Sequence, residues 1–193
     1  MLIGAALAFC ILSVPLVGGR LSGLAQLEFR HAWLAVAALG VQVLIISVLP
    51  GGGGDHSEEI HLGTYALLGA FLVVNRHIPG LLVIAAGGAL NFAAIVSNGG
   101  VMPADPDALA AAGIPQDPTE FANSAAADGA PLGFLGDAFH TPDWLPIHNV
   151  FSVGDVIIVV AAVAAMHTLG GSRLALPALA SPAALAARLA RAR

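Results

Sequence analysis

The sequence predicts an all-α fold: an integral membrane bundle of five transmembrane helices with a partly helical extracytoplasmic loop. Two observations support this prediction. Of the 193 residues, 10% are charged and 58% are apolar, whereas a soluble domain usually carries about 25% charged residues. In addition, five apolar stretches are long enough to be candidate spans, at about residues 2–18, 32–49, 60–75, 81–97 and 150–169.

Each stretch is expected to be a helix, because backbone groups cannot stay unpaired in lipid. At about 1.5 Å per residue the five helices would cover roughly 24–30 Å, the short end of what a bilayer needs. The first four contain no charged residue, and the fifth contains Asp155. The first is expected to be retained rather than cleaved as a signal peptide, because Arg20 and Arg30 follow it.

The arginines predict the topology. In a five-span arrangement all of them fall on one side of the membrane, and positive-inside asymmetry makes that side the cytoplasm. They are Arg20, Arg30, Arg76, Arg173, Arg188, Arg191 and Arg193. The sequence therefore predicts a multi-pass protein of the bacterial cell (inner) membrane with its N-terminus outside. Residues 1–171 would form the membrane domain, and residues 172–193 a basic, alanine-rich cytoplasmic tail.

Composition also limits the classes of function. The 7 basic residues against 12 acidic ones give a net charge of −5, which excludes nucleic-acid binding as a main role. The single cysteine, Cys10, excludes an intramolecular disulfide and a cysteine-based metal site. The sequence has no phosphate-binding, dinucleotide-binding or nucleophile-elbow motif, and no cofactor is expected.

The outer loop, residues 99–148, contains two helix-start signals. Asp105 places a capping carboxylate before Pro106, and Asp117-Pro118-Thr119-Glu120 repeats the pattern with an additional capping-box acid. An apolar patch follows, which is expected to lie on the membrane surface or to cover the bundle. Its members are Leu132, Phe134, Leu135, Phe139 and Trp144.

Polar residues in the fourth and fifth spans are the best candidates for function. Asp155 is the one ionisable residue deep in a span, and it shares a helix face with Asn149 and Ser152. Asn91 and Asn98 share a face of the fourth span, together with Gly87 and Ala94. Counted from the outer surface, Asn91 and Asp155 lie at similar depth, so the two polar faces are expected to meet.

This cluster has three interpretations. In the structural one, Ser152 caps the fifth span and Asp155 completes a capping box. In the second, Asn91, Asn98, Ser152 and Asp155 bind a small polar ligand, a cation or a proton. In the third, Asp155 is a catalytic carboxylate, but no partner base or nucleophile is evident, and we assign no catalytic residue.

The seven histidines have no spacing typical of a metal site. Scattered interfacial histidines are the simpler interpretation, and we assign no metal site. The set that comes nearest to a copper or zinc site is His140 and His148 with Asp143.

Two motifs flank the outer loop. The first is N-G-G-x-M-P at residues 98–103, and the second is N-x-x-S-x-G-D at residues 149–155. With Gly19-Arg20-Leu21-Ser22, they resemble an uncharacterised family of small bacterial polytopic membrane proteins, a domain of unknown function. The resemblance implies a topology but no reaction. It also implies that the motif residues form one outer-face unit: Asn98, Gly99, Gly100, Met102, Pro103, Ser152, Gly154 and Asp155.

Two functions stay open at this point. The protein would bind or pass a small polar ligand or ion at the outer face, using Asn91, Asn98 and Asp155. Alternatively, it would be a structural or accessory subunit whose polar stripe and Trp144 patch dock membrane lipid or an unidentified membrane protein.

Overall fold

A computed structural model describes residues 2–45, 56–115, 124–142 and 144–176, and the chain is mostly helical in these ranges. Short strands lie in the segment between the fifth and the last helix. The helices are α1 (Leu2–Leu16), α2 (Ser22–Ala25), α3 (Trp33–Val43), α4 (Ser57–Val74), α5 (Leu81–Ser97), α6 (Pro106–Ala111) and α7 (Val153–Leu169). The strands are β1 (Met102–Ala104), β2 (Ser124–Ala126), β3 (Phe139–His140) and β4 (Val150–Phe151).

The long helices pack in a row. α7 packs against α5 on one side and α1 on the other, while α4 contacts both α5 and α3. The buried positions along α7 are mostly small, among them Gly154, Ala161 and Ala165. Because small side chains let helix backbones approach closely, α7 and α5 form the tightest part of the bundle.

The segment between α5 and α7 folds back on the start of α7. β1 and β2 run parallel, with Met102 opposite Ser124. β3 and β4 run antiparallel, with Phe139 opposite Phe151 and His140 opposite Val150. Since β4 directly precedes the residue that caps α7, this pairing holds the loop against the first turn of that helix.

The helix start predicted at Asp105 is confirmed. Its carboxylate accepts the backbone N–H groups of Asp107, at 2.8 Å, and Ala108, at 3.4 Å, and Pro106 occupies the first helical position. The buried face of α6 joins a small apolar cluster of Ala104, Ala108, Leu109, Ala112 and Val150. The second predicted start, Asp117-Pro118-Thr119-Glu120, lies outside the described residues.

The five-span membrane bundle and the multi-pass localisation are wrong. Across the described ranges, no helix combines the length and the mean hydropathy that crossing a membrane requires. α3 has 11 residues, and α1, α5 and α7 have 15, 17 and 17. α4 has 18 residues, but its first turn carries Glu58 and Glu59, which lower its hydropathy. The predicted basic tail lies outside the described residues from 177 onward.

Candidate functional site at the crossing of α5 and α7

Two glycines let α5 and α7 touch. A Cβ atom on Gly87 would lie 2.7 Å from the carbonyl oxygen of Gly154, and a Cβ atom on Gly154 would overlap the side chain of Asn91. Contacts this short leave no space for a side chain at either position. The close approach places Asn91, which is buried in α5, beside the first turn of α7.

Asn91 bridges two polar residues of that turn, Ser152 and Asp155. Its side-chain nitrogen donates to Asp155 Oδ1 at 2.9 Å, and its Oδ1 accepts from the Ser152 hydroxyl at 2.8 Å. The predicted meeting of the two polar faces therefore takes place at Asn91, Ser152 and Asp155. The binding role assigned to these residues stays a prediction.

Ser152 and Asp155 also form a capping box. The Ser152 Oγ accepts the N–H of Asp155 at 3.1 Å, and Asp155 Oδ2 accepts the N–H of Ser152 at 2.9 Å. This arrangement satisfies two amide groups that the start of a helix would otherwise leave unpaired. Ser152 has no solvent exposure, so its hydroxyl is fixed by these contacts. The Asp155 carboxylate is partly exposed.

Replacing Asp155 with asparagine should destabilise the fold by about 1–2 kcal/mol, because an amide offers one acceptor oxygen where the carboxylate offers two. The variant can accept from Asn91 or from Ser152, but not from both. Chemical denaturation of the purified variant measures the loss. Asp128→Asn, at an exposed position, is the charge-matched control and should leave the free energy of unfolding unchanged. Wild-type stability in Asp155→Asn would contradict the capping role.

Asp155 is one of the residues that line a cavity of about 230 Å³. Its other walls are apolar except for Asn149, and they come from α1, β4 and α7. The lining residues are Ala6, Asn149, Phe151, Asp155, Val156, Val159 and Val160. Asn91 and Ser152 therefore hold the carboxylate in one orientation, and Asp155 contributes to the wall of a mostly apolar space.

A larger cleft, of about 670 Å³, lies over the loop segment. Asp105, Asp107 and Asp128 line it together with Phe134, and all four side chains are exposed. Water solvates these carboxylates, and Asp105 already accepts two helix amides. The cleft consequently lacks a carboxylate held by a side chain of a neighbouring helix, as Asp155 is held by Asn91 at the smaller cavity.

Sequence reasoning missed a second carboxylate near the site. Asp137 is 5% exposed, and the Ser124 hydroxyl donates to its Oδ2 at 2.6 Å. Burial raises the pKa of Asp137 to about 6; Ser124 opposes this shift and the charge of Asp155 adds to it. The one available signal was the position of this aspartate within an apolar stretch, between Leu135 and Phe139.

Tyr65 of α4 belongs to the same electrostatic group. Burial raises its pKa to about 12, with smaller contributions from the charges of Asp155 and Asp137. Its ring stacks on Phe92, the residue after Asn91, with 5.5 Å between ring centroids. Tyr65 also packs against a cluster that contains Met102. It was not among the predicted site residues, because nothing local in α4 indicates a partner on α7.

The first loop motif lies at a turn and does not contact Asp155. Asn98 donates to the carbonyl oxygens of Ala94, at 2.7 Å, and Pro131, at 2.8 Å, which ties the end of α5 to the loop. Gly99 and Gly100 have φ values of +70° and +97°, a region that favours glycine.

The rest of this motif is buried beneath the loop. Met102 is 3% exposed and packs on Ile95, while the carbonyl oxygen of Pro103 accepts the Asp137 N–H at 2.9 Å. The motif therefore joins α5 to the loop. Of the two asparagines predicted to bind a ligand on α5, the structure brings Asn91 to Asp155 and leaves Asn98 at the turn.

The histidines occupy separate positions. His140 contacts the carbonyl oxygen of Thr141 at 3.0 Å, and Asp143, the third member of the set considered for copper or zinc, lies outside the described residues. Within the part of the chain that is described, no three His, Cys, Asp or Glu side chains cluster as a metal site would require. His167 is buried between Ser13, at 3.1 Å, and Ser172, at 2.8 Å, where it joins α1 to the end of α7.

The exposed aromatic residues of the loop include Trp144, at 80% exposure, and Phe134, at 72%. The docking of a lipid or a protein partner at these aromatic side chains stays a prediction.

A family model described as a family of unknown function, DUF5317, matches residues 26–167. The chain belongs to DUF5317. The DUF5317 match spans α3 to α7 and includes both loop motifs, so the whole polar cluster falls inside it. This match confirms the resemblance to an uncharacterised domain. It does not confirm the two motifs. The DUF5317 description assigns no activity, and no curated protein or solved structure matches the chain.

Proposed function

We propose that this protein binds a small organic cation, with an ammonium head and a short apolar body, in the cavity that Asp155 lines. One observation carries the proposal: an aspartate whose carboxylate is held in one orientation lines a space whose walls are almost entirely apolar. A carboxylate beside apolar walls interacts more strongly with a cation than one in bulk water, because apolar side chains screen charge less than water does.

The polar atoms of the cavity favour a donor over an acceptor. Asp155 is acceptor-only when ionised, and its bonds to Asn91 and Ser152 hold it in one orientation. Asn149 also lines the cavity, and because its side-chain N–H donates to the Val150 carbonyl oxygen at 2.8 Å, its amide oxygen is the group that can accept a further hydrogen bond. An ammonium group, with three N–H donors and no acceptor, complements both.

The size and walls of the cavity limit the rest of the ligand. Its volume of about 230 Å³ lies below the roughly 300–1,000 Å³ typical of drug-sized ligands. Val156, Val159 and Val160 offer contact to methylene groups but no further hydrogen bond. A short alkylammonium ion, such as n-butylammonium, satisfies these conditions.

Binding is favoured over catalysis because the nearest hydroxyl is not available for chemistry. Ser152 is fully buried, contacts Asn91 and the first turn of α7, and does not line the cavity. A nucleophile would have to reach a substrate in that space. Asp155 therefore acts in this proposal as a charge partner rather than as a catalytic residue.

Isothermal titration calorimetry with n-butylammonium tests the proposal. For a ligand this small we expect a dissociation constant on the order of 1 mM or below at neutral pH. Butyrate and n-butanol, which match the apolar chain but not the charge, should bind at least tenfold more weakly. Equal binding of n-butylammonium and butyrate, or no binding of n-butylammonium at 20-fold higher concentration, would refute the proposal.

A steric variant separates the cavity from the helix cap. Val159→Phe places a larger side chain in the wall and keeps Asp155 intact, so it should lower n-butylammonium affinity at least tenfold while the protein stays folded. Val96→Phe, on an exposed face of α5, is the matched control and should bind like the wild type. Unchanged binding in Val159→Phe would place the ligand elsewhere.

A further inference from the structure

We propose that Asp137 regulates the Asp155 site electrostatically, so that the site binds an organic cation weakly while Asp137 holds its proton and more strongly once the proton is lost. This inference rests on the proposed function and assigns its regulation. It stands on the placement of Asp137, its burial and its electrostatic neighbours.

Strand pairing brings Asp137 to the N-terminal end of α7, the end that contains Asp155. Phe139 of β3 lies opposite Phe151 of β4, in antiparallel orientation, and their rings stack with 5.6 Å between centroids. The chain before Phe139 and the chain after Phe151 therefore leave the pair in the same direction. Asp137 comes two residues before Phe139, and Asp155 comes four residues after Phe151.

The backbone holds Asp137 in place from both sides. Its N–H donates to the Pro103 carbonyl oxygen at 2.9 Å, and its carbonyl oxygen accepts the Asp105 N–H at 3.1 Å. The residue is 5% exposed, and its carboxyl group accepts a hydrogen bond from the Ser124 hydroxyl. It cannot turn out to water without breaking these contacts, so ionisation adds a charge inside the protein.

The groups that face Asp137 come from three elements. Asp155 acts from α7 and Tyr65 from α4, while Ser124 of β2 donates the hydrogen bond that favours the ionised form. His61, one turn before Tyr65 in α4, stacks on the Tyr65 ring, and burial lowers its pKa, which favours the neutral ring. The nearby Asp105 carboxylate is directed at the amides of its own helix, α6. Asp155 is thus the charge that disfavours ionisation of Asp137.

Binding and proton loss are consequently linked. A cation beside Asp155 cancels the charge that opposes ionisation of Asp137, and an ionised Asp137 in turn adds negative potential at the cation site. Linkage requires that the two effects be equal in size. The burial-raised pKa of Asp137, about 6, places the change within the physiological range of pH.

Calorimetry with n-butylammonium at pH 5.0 and pH 7.5 provides the test. Between these values wild-type affinity should rise about three- to tenfold more than that of Asp137→Asn, in which residue 137 cannot ionise. Asp128→Asn, which removes an exposed carboxylate, should keep the full wild-type increase. If Asp137→Asn shows the same increase as the wild type, this inference is overturned and the cation site stands. If n-butylammonium binds at neither pH, both proposals fail.

A measurement on the wild-type protein avoids dependence on the variant. The carboxyl carbon resonance of Asp137, followed by NMR in ¹³C-labelled protein, reports its titration midpoint directly. Saturating n-butylammonium should shift that midpoint to lower pH by about 0.5–1 unit, because the effect of the cation on proton binding equals the effect of the proton on cation binding. A midpoint that stays in place under saturation would rule out the regulation.

Discussion

Replacing Gly87 with alanine is expected to destabilise the protein by about 2–3 kcal/mol, because the new methyl group meets backbone that cannot move alone. A Cβ atom at this position lies 2.7 Å from the Gly154 carbonyl oxygen and 2.9 Å from the Ile158 side chain. α5 and α7 must separate to admit it. Their separation would also lengthen the hydrogen bonds from Asn91 to Ser152 and Asp155.

The adjacent glycine supplies a matched control. Gly88 has no atom within 4 Å of a Cβ built at its position, so Gly88→Ala should stabilise the helix by about 0.5–1 kcal/mol through its higher helix propensity. Chemical denaturation of both variants measures the difference. Similar stabilities for the two alanine variants would mean that α5 and α7 are not in contact at Gly87.

Replacing Asp137 with asparagine is expected to remove a pH dependence of stability of about 3 kcal/mol, since a shift of one pKa unit corresponds to about 1.4 kcal/mol. Burial raises the pKa of Asp137 in the folded protein from 3.8 to about 6. The folded state therefore binds the proton more tightly than the unfolded state does. The stabilisation is complete below pH 4 and is lost as the pH rises through 6.

The variant should accordingly become more stable relative to the wild type as the pH rises. An amide keeps an acceptor for the Ser124 hydroxyl and carries no charge, so Asp137→Asn should equal or exceed wild-type stability at pH 7.5. Denaturation at pH 4, 5, 6 and 7.5 follows the difference between the two proteins. The difference in the free energy of unfolding between Asp128→Asn and the wild type should be the same at every pH. A constant difference between Asp137→Asn and the wild type would exclude a raised pKa at this residue.

Helix positions could be read from the apolar runs of the chain. The fourth run was placed at residues 81–97, and α5 is Leu81–Ser97. The fifth was placed at about 150–169, and α7 is Val153–Leu169. Agreement is good there because glycine in the left-handed region or a capping side chain marks the ends. Gly80 has φ +82° before α5, and Ser152 caps α7.

The role given to those runs was wrong. The high apolar content predicts five membrane spans, yet no described helix has the length and mean hydropathy that crossing a membrane requires. α1 ends at Leu16, shortly before Gly18 adopts a φ of +80°, and α4 begins with Glu58 and Glu59 in its first turn. Hydropathy summed over a stretch of chain locates a helix approximately, whereas the ends of the helix depend on local caps and on backbone conformation.

Part of the candidate site was also accessible from spacing. Ser152 and Asp155 are three residues apart, which is the separation that a capping box requires, so local geometry predicts their contact. The contact of Asn91 with Asp155 followed from comparing depths along two helices. Asp137 and Tyr65 could not be found this way. They approach the site only because β3 pairs with β4 and α4 packs on α5, and both contacts join distant parts of the chain.

By itself, then, the sequence determined the local features: helix positions, the caps at Asp105 and Ser152, and a polar face on each of α5 and α7. The tertiary structure decided which apolar positions are buried, and it brought a second carboxylate to the site. The physical reason is that apolar residues occupy both the buried and the exposed sides of these helices: Val96 and Val160 are exposed while Ala94 and Ala161 are buried. Burial in such helices depends on where small residues permit contact, and that depends on the partner helix as much as on the helix itself.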